Sequence, residues 1–126
     1  MSDIHAAPKL GDILKIMRLV TQGTDINSRD PYGRTPLHFM ALHGKTDPMK
    51  SLVKLGADIN SRNINSRKLV GYTPLHVAAS RGKIDDIKVL AELGADINSR
   101  DSDGKTPLHI AAIHDKTDAI KVLVEL

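Results

Sequence analysis

The sequence contains no cysteine and no tryptophan, and its 126 residues include only three aromatics, Tyr32, Phe39 and Tyr72. Without thiols there is no disulfide, zinc–thiolate site or thiol nucleophile, and a reducing compartment is compatible. A core almost free of rings must be assembled from Leu, Ile, Val and Ala at close spacing, which suits thin stacked helices better than a β-sandwich. No apolar run approaches a membrane span, and residues 1–20 lack the layout of a secretory signal. The expectation is a soluble, intracellular (cytoplasmic) chain without membrane partners, with delivery into another cell left open. A strong charge of one sign is also missing: 18 Lys and Arg against 15 Asp and Glu leave a formal net charge of +3. That balance suits acidic protein surfaces or a nucleic-acid backbone, but only weakly.

Catalytic signatures are missing too. There is no Gly-x-Gly-x-x-Gly, phosphate-binding loop, His-Glu-x-x-His or Gly-x-Ser-x-Gly, and only Asp85 and Asp86 are adjacent acids. No confined carboxylate pair of the hydrolytic kind is visible. The chain reads as non-enzymatic, with no catalytic residue, cofactor or metal expected.

What the sequence has is a repeat. Gly71-Tyr72-Thr73-Pro74-Leu75-His76 recurs as Gly33-Arg34-Thr35-Pro36-Leu37-His38 and as Gly104-Lys105-Thr106-Pro107-Leu108-His109. Thr73 and Thr106 are 33 residues apart, Thr35 and Thr73 are 38 apart, and Gly11, Gly44 and Gly82 show the same two intervals. Asp-Ile-Asn-Ser-Arg keeps step at 25–29, 58–62 and 96–100. Thr caps a helix start and Pro, with no N–H to lose, suits the first turn, so helices begin at Thr35, Thr73 and Thr106. Gly44 and Gly82 end these short helices. Second helices follow over 46–55, 84–93 and 117–126, with apolar residues at helical spacing, and Gly56 and Gly94 stop two of them. Asp-Ile-Asn-Ser-Arg then reads as an extended segment leading into a hairpin, its Asp and Asn bonding their own backbone.

Helix, loop, helix and β-turn at a 33-residue period with Thr-Pro-Leu-His resembles the ankyrin repeat. The resemblance implies an all-α repeat solenoid of helix-turn-helix units joined by β-hairpin loops, forming a single domain over 1–126. Its four units run at about 2–34, 35–72, 73–105 and 106–126. The first is degenerate, with Ser2–Ala7 where Thr-Pro-Leu-His-x-Ala belongs and Pro8 shortening its helix. The last stops inside its second helix, with Ile120, Val122, Leu123, Val124 and Leu126 no more polar than their counterparts one unit earlier. That end either pairs with another chain, continues into more repeats or frays.

Ile59-Asn60-Ser61-Arg62 is duplicated as Ile64-Asn65-Ser66-Arg67, which accounts for the whole excess of 38 over 33. Arg67 lies six residues before Thr73, as Arg29 lies before Thr35 and Arg100 before Thr106, so both flanking helix pairs are left undisturbed. The insertion falls in the hairpin at 60–71 and predicts a longer finger with an apolar tip.

His5, His38, His76 and His109 occupy the same position in successive units, about 8–10 Å apart by helix packing. That is too far to share a metal, and the resemblance implies that each imidazole ties hairpin to helix. The resemblance also places partner proteins on a concave side of hairpin tips and first helices. On that side the candidate contacts are Tyr32, Arg34, Leu42, His43, Leu69, Val70, Tyr72, Arg81, Lys105, Ile113 and His114. Tyr32, Leu69, Val70 and Tyr72 form the expected anchor patch, tyrosine being a favoured anchor. The alternative function is binding of an anionic ligand or nucleic acid through Arg29, Arg62, Arg67, Lys68 and Arg100, against which the scarcity of stacking aromatics counts.

Overall fold

The computed structural model describes residues 18, 22–31, 33–63 and 71–126. The expected first unit's helices, Tyr32, and the finger residues 64–70 with Arg67, Lys68, Leu69 and Val70 lie outside these.

Six helices follow one another among the described residues: α1 (Pro36–His43), α2 (Thr46–Lys54), α3 (Pro74–Arg81), α4 (Ile84–Glu92), α5 (Pro107–Ile113) and α6 (Thr117–Glu125). They form antiparallel pairs, and the pairs stack in register: α1 on α3 on α5, and α2 on α4 on α6. This is the all-α solenoid the repeat implies.

Each first helix starts the same way. The backbone N–H of Thr35, Thr73 or Thr106 donates to Nδ1 of the histidine three residues on, at 3.1 Å in every unit. The hydroxyls of Thr73 and Thr106 accept from the backbone N–H of His76 and His109. Together these form a capping box with histidine where glutamate usually stands. Gly44 and Gly82 close α1 and α3 in the left-handed region, at φ 67° and 65°. Asp115 takes the corresponding place after α5 at φ 55°, where an L side chain is strained.

The core is aliphatic, as the shortage of rings requires. Leu37, Met40, Ala41, Met49 and Leu52 in the first described pair, and Leu75, Ala78, Ala79, Ile87 and Leu90 in the next, are buried. Alanines on the first helices let them approach closely. A fully buried Leu or Ile contributes about 1.5–3 kcal/mol relative to exposure.

The Asp-Ile-Asn-Ser-Arg segments are tight turns rather than extended segments. Asp25, Asp58 and Asp96 accept through Oδ1 from the N–H of Asn27, Asn60 and Asn98, at 2.9–3.0 Å. A carboxylate two residues ahead of an amide competes with extended pairing for that N–H. No strand occurs among the described residues; instead, the tips are closed by pairs of backbone bonds. Asp30 N–H donates to the Arg34 carbonyl and Gly33 N–H to the Asp30 carbonyl, and Asp101 makes the same pair with Lys105 and Gly104. At the long finger Asn63 takes this role, donating to the Tyr72 carbonyl at 2.9 Å and accepting from Gly71 at 2.8 Å. The insertion is therefore accommodated between Asn63 and Gly71, and the base of the finger keeps the register of the shorter tips. Gly71 packs closely against the next tip: at φ +81° it would place a Cβ 2.8 Å from Ser102 N.

Candidate partner-binding face

Three side-chain bridges join each unit to the next, and they decide which polar residues remain for other work. Histidine makes the first. Because Nδ1 accepts from an N–H that can only donate, the proton resides on Nε2. His38 Nε2 donates to the Tyr72 carbonyl at 2.7 Å and His76 Nε2 to the Lys105 carbonyl at 2.8 Å. Burial, the largest cause, lowers both pKa values, that of His38 from 6.5 to about 4. The imidazoles thus tie each helix start to the hairpin of the following unit.

Asparagine makes the second bridge. Asn27 Oδ1 accepts from Asp58 N–H at 2.8 Å and Asn60 Oδ1 from Asp96 N–H at 2.9 Å. Arginine makes the third. Arg29 donates at 2.6 Å to the carbonyls of both Gly33 and Arg62, and Arg62 donates to the carbonyls of Gly71 and Arg100. Two members of the expected anion-binding row are thereby engaged with backbone oxygens. Arg62 thus does the work of Arg29, in keeping with the Asp-Ile-Asn-Ser-Arg segment that both close.

Among the expected contact residues, Arg34 and Leu42 come together. With His38, Phe39, Asn63, Val77 and Ser80 they line a small, largely apolar cleft of about 50 Å³ between α1 and α3. Arg34 is held at its rim: Nε donates to Asp30 Oδ2 at 2.8 Å, and the guanidinium lies 4.6 Å from the centre of the Phe39 ring. The packing is a cation–π contact, worth about 0.5–1 kcal/mol at an exposed site.

Tyr72 differs from the expectation. It is buried, at 6% exposure, stacked on His76 with ring centres 5.1 Å apart. Its N–H donates to Asn63 Oδ1 at 2.8 Å. Its ring therefore supports the stack instead of standing on the surface as an anchor. Burial first, then Asp101 and Asp103, push its hydroxyl pKa up. Arg81, His114 and Ile113 are exposed and Lys105 is half-buried, but none of them lines the cleft. His43 is exposed and does not line the cleft; it lies in a polar groove with Gly44, Thr46 and Asp86. Desolvation, then Arg81 and Lys45, hold its pKa below the usual value.

The sequence reading missed Phe39, Val77, Asn63 and Asp86. Phe39 and Leu42 stand one helical turn apart, a signal that was available. Asp86 is buried at 2% exposure, its Oδ2 has no hydrogen-bond partner, and burial raises its pKa from 3.8 to about 6. Pro48 and Ala119 fill the same position in the neighbouring units.

Stacked helix pairs, histidine capping boxes and bridged hairpins define a class, and the family comparison agrees. A family model described as ankyrin repeats (3 copies) matches residues 4–101 and 64–126. The chain belongs to the ankyrin repeat family. It is 37% identical over 63 residues to human protein phosphatase 1 regulatory subunit 27, covering 50% of this chain and 41% of that protein. It is 35% identical over 60 residues to chicken inversin, covering 47% of this chain and 5% of that protein. A third similar protein is variola virus ankyrin repeat protein OPG189, 36% identical over 52 residues, covering 41% of this chain and 9% of that protein. The matches thus span less than half the length of these relatives.

Proposed function

We propose that the chain is a non-catalytic protein-interaction module that holds a partner protein on the face formed by hairpin tips and first helices. The observation that carries this reading is the α1–α3 cleft, a small apolar recess with the Arg34–Asp30 ion pair fixed at its rim. Phe39, Leu42 and Val77 would receive an apolar side chain of the partner. Arg34, ion-paired with Asp30 and packed on Phe39, forms its polar rim, and the exposed Arg81, outside the cleft, would favour acidic residues elsewhere on the partner. A recess lined by side chains fixed in the stack loses little entropy on binding, which suits a recognition pocket. A regulatory subunit among the relatives is in keeping with partner binding. Ile113, His114 and Lys105 extend the same face along the array, and Tyr32, Leu69 and Val70 belong to the same proposal.

The proposed setting is intracellular. No helix among the described residues is long and apolar enough to cross a membrane. The anionic-ligand alternative is less favoured, because Arg29 and Arg62 already donate to carbonyls within the stack.

Affinity capture with the wild-type chain and the Leu42→Glu variant tests this reading. A partner that is recovered by the wild type and lost by the variant supports it. Equal recovery by both contradicts it.

A further inference from the structure

Asp86 is an acid that the scaffold does not require. It stands in the first turn of α4, where Pro48 and Ala119 occupy the corresponding places of α2 and α6. Asp86 is nevertheless only 2% exposed, and its Oδ2 has no hydrogen-bond partner among the described residues. A buried acceptor left unpaired is costly, and more so when it is charged. The chain itself does not answer this carboxylate.

Asp86 lines a polar groove of about 370 Å³ with His43, Gly44, Lys83 and Asp85, between the α1–α2 turn and the start of α4. At Gly44 a Cβ would lie 3.6 Å from Oδ2, so the carboxylate rests against a backbone that carries no side chain. Burial raises the Asp86 pKa to about 6; Lys83 and Arg81 lower it and Asp85 raises it, while no charge of α2 or α6 acts on it. At pH 7 the group is therefore mainly ionised, and the exposed Lys83 and Asp85 beside it offset one another. His43, whose pKa is held below its usual value, is neutral there and does not pair with it. No group of three or more His, Asp or Glu that could hold a metal occurs among the described residues, so the missing partner is a hydrogen-bond donor.

We propose that this groove is a second interaction site, which seats the guanidinium of an arginine from a partner protein against the Asp86 carboxylate. A guanidinium presents two parallel N–H groups that match both carboxylate oxygens. It is weakly hydrated and keeps its charge, which suits a carboxylate already stripped of water, whereas an ammonium is a strongly hydrated point charge. The corresponding groove beside α6 has Ala119 in place of the acid, so the array carries this site at one junction of the two. The groove shares no lining residue with the α1–α3 cleft, and each stands or falls without the other.

The test uses the whole chain with N-acetyl-arginine amide as probe, and follows the Asp86 carboxyl carbon by NMR. Saturable binding, roughly millimolar for a single side chain, is expected at pH 7. The Asp86 titration should move to lower pH with probe bound, and binding should weaken as pH falls below 6. Asp86→Ala should abolish binding with the fold intact, since Ala119 shows that the turn accepts alanine. N-acetyl-citrulline amide, similar in shape but neutral, should bind at least tenfold more weakly. Equal binding of the citrulline probe, unchanged binding by Asp86→Ala, or an Asp86 titration that the arginine probe does not move would overturn the proposal. Displacement of the probe by magnesium or calcium ions would overturn it too, by making the groove a metal site.

Discussion

The Nε2 of His38 donates a 2.7 Å hydrogen bond to the carbonyl of Tyr72, one whole unit further along the chain. The same ring accepts at Nδ1 from the N–H of Thr35, so one neutral imidazole satisfies two buried backbone groups in different units. His76 does likewise between Thr73 and Lys105. This is why Thr-Pro-Leu-His serves both as a helix start and as a junction between units.

His76→Ala is expected to cost far more than His109→Ala. The first leaves the Lys105 carbonyl and the Thr73 N–H without partners, at about 1–3 kcal/mol for each buried group. The second removes an exposed ring whose Nε2 bridges nothing among the described residues. Urea denaturation of the two variants measures the difference, and equal losses would refute the bridging role.

Protonation acts on His38 and Asp86 in opposite directions. His38 has a folded pKa of about 4 against 6.5, so its contribution is full above 6.5 and is lost as pH falls toward 4. Asp86 has a folded pKa of about 6 against 3.8, so its buried carboxylate burdens the fold at neutral pH and is relieved as pH falls through 6. Asp86→Ala should therefore be more stable than wild type at pH 7 and lose stability more steeply between pH 6.5 and 4. Thermal melts across that window check both statements. An unchanged neutral Tm with a parallel pH profile would count against them.

Arg62→Ala should destabilise the stack by about 1–2 kcal/mol, since its guanidinium serves the carbonyls of Gly71 and Arg100. Arg62→Lys should recover little, because an ammonium on a flexible stem cannot reproduce the planar fork. Chemical denaturation reads the loss. If Arg62→Ala instead leaves stability intact and abolishes heparin retention, the residue belongs to an anion site.

Replacing Asp115 by glycine should stabilise the chain by about 1 kcal/mol, by relieving the left-handed backbone between α5 and α6. Gly44 and Gly82 already occupy the matching positions. A calorimetric melt suffices to measure it.

The helices were legible because their start and stop signals are local: Thr-Pro at the start, Gly at the end, and an apolar stripe between. The asparagine and arginine bridges were not, because the Asn that spans two units also sits in a turn whose local chemistry is complete without it. Arg29 and Arg62 were read as part of an anion-binding row because their charge is visible in the sequence, whereas the carbonyls they serve in the following unit are not. Tyr72 was read as an anchor because aromatics are rare here. Its register position, just before the capping threonine, fixes its backbone at a junction and turns its ring onto His76. Phe39 is the ring that lines the cleft with Leu42.

The most direct test of the central claim is the affinity of a captured partner for wild type, Phe39→Ala and Leu42→Glu, measured by calorimetry on proteins with matching melting curves. The cleft reading predicts at least a tenfold loss for Leu42→Glu and a smaller loss for Phe39→Ala. Unchanged affinity in both cleft variants would contradict it.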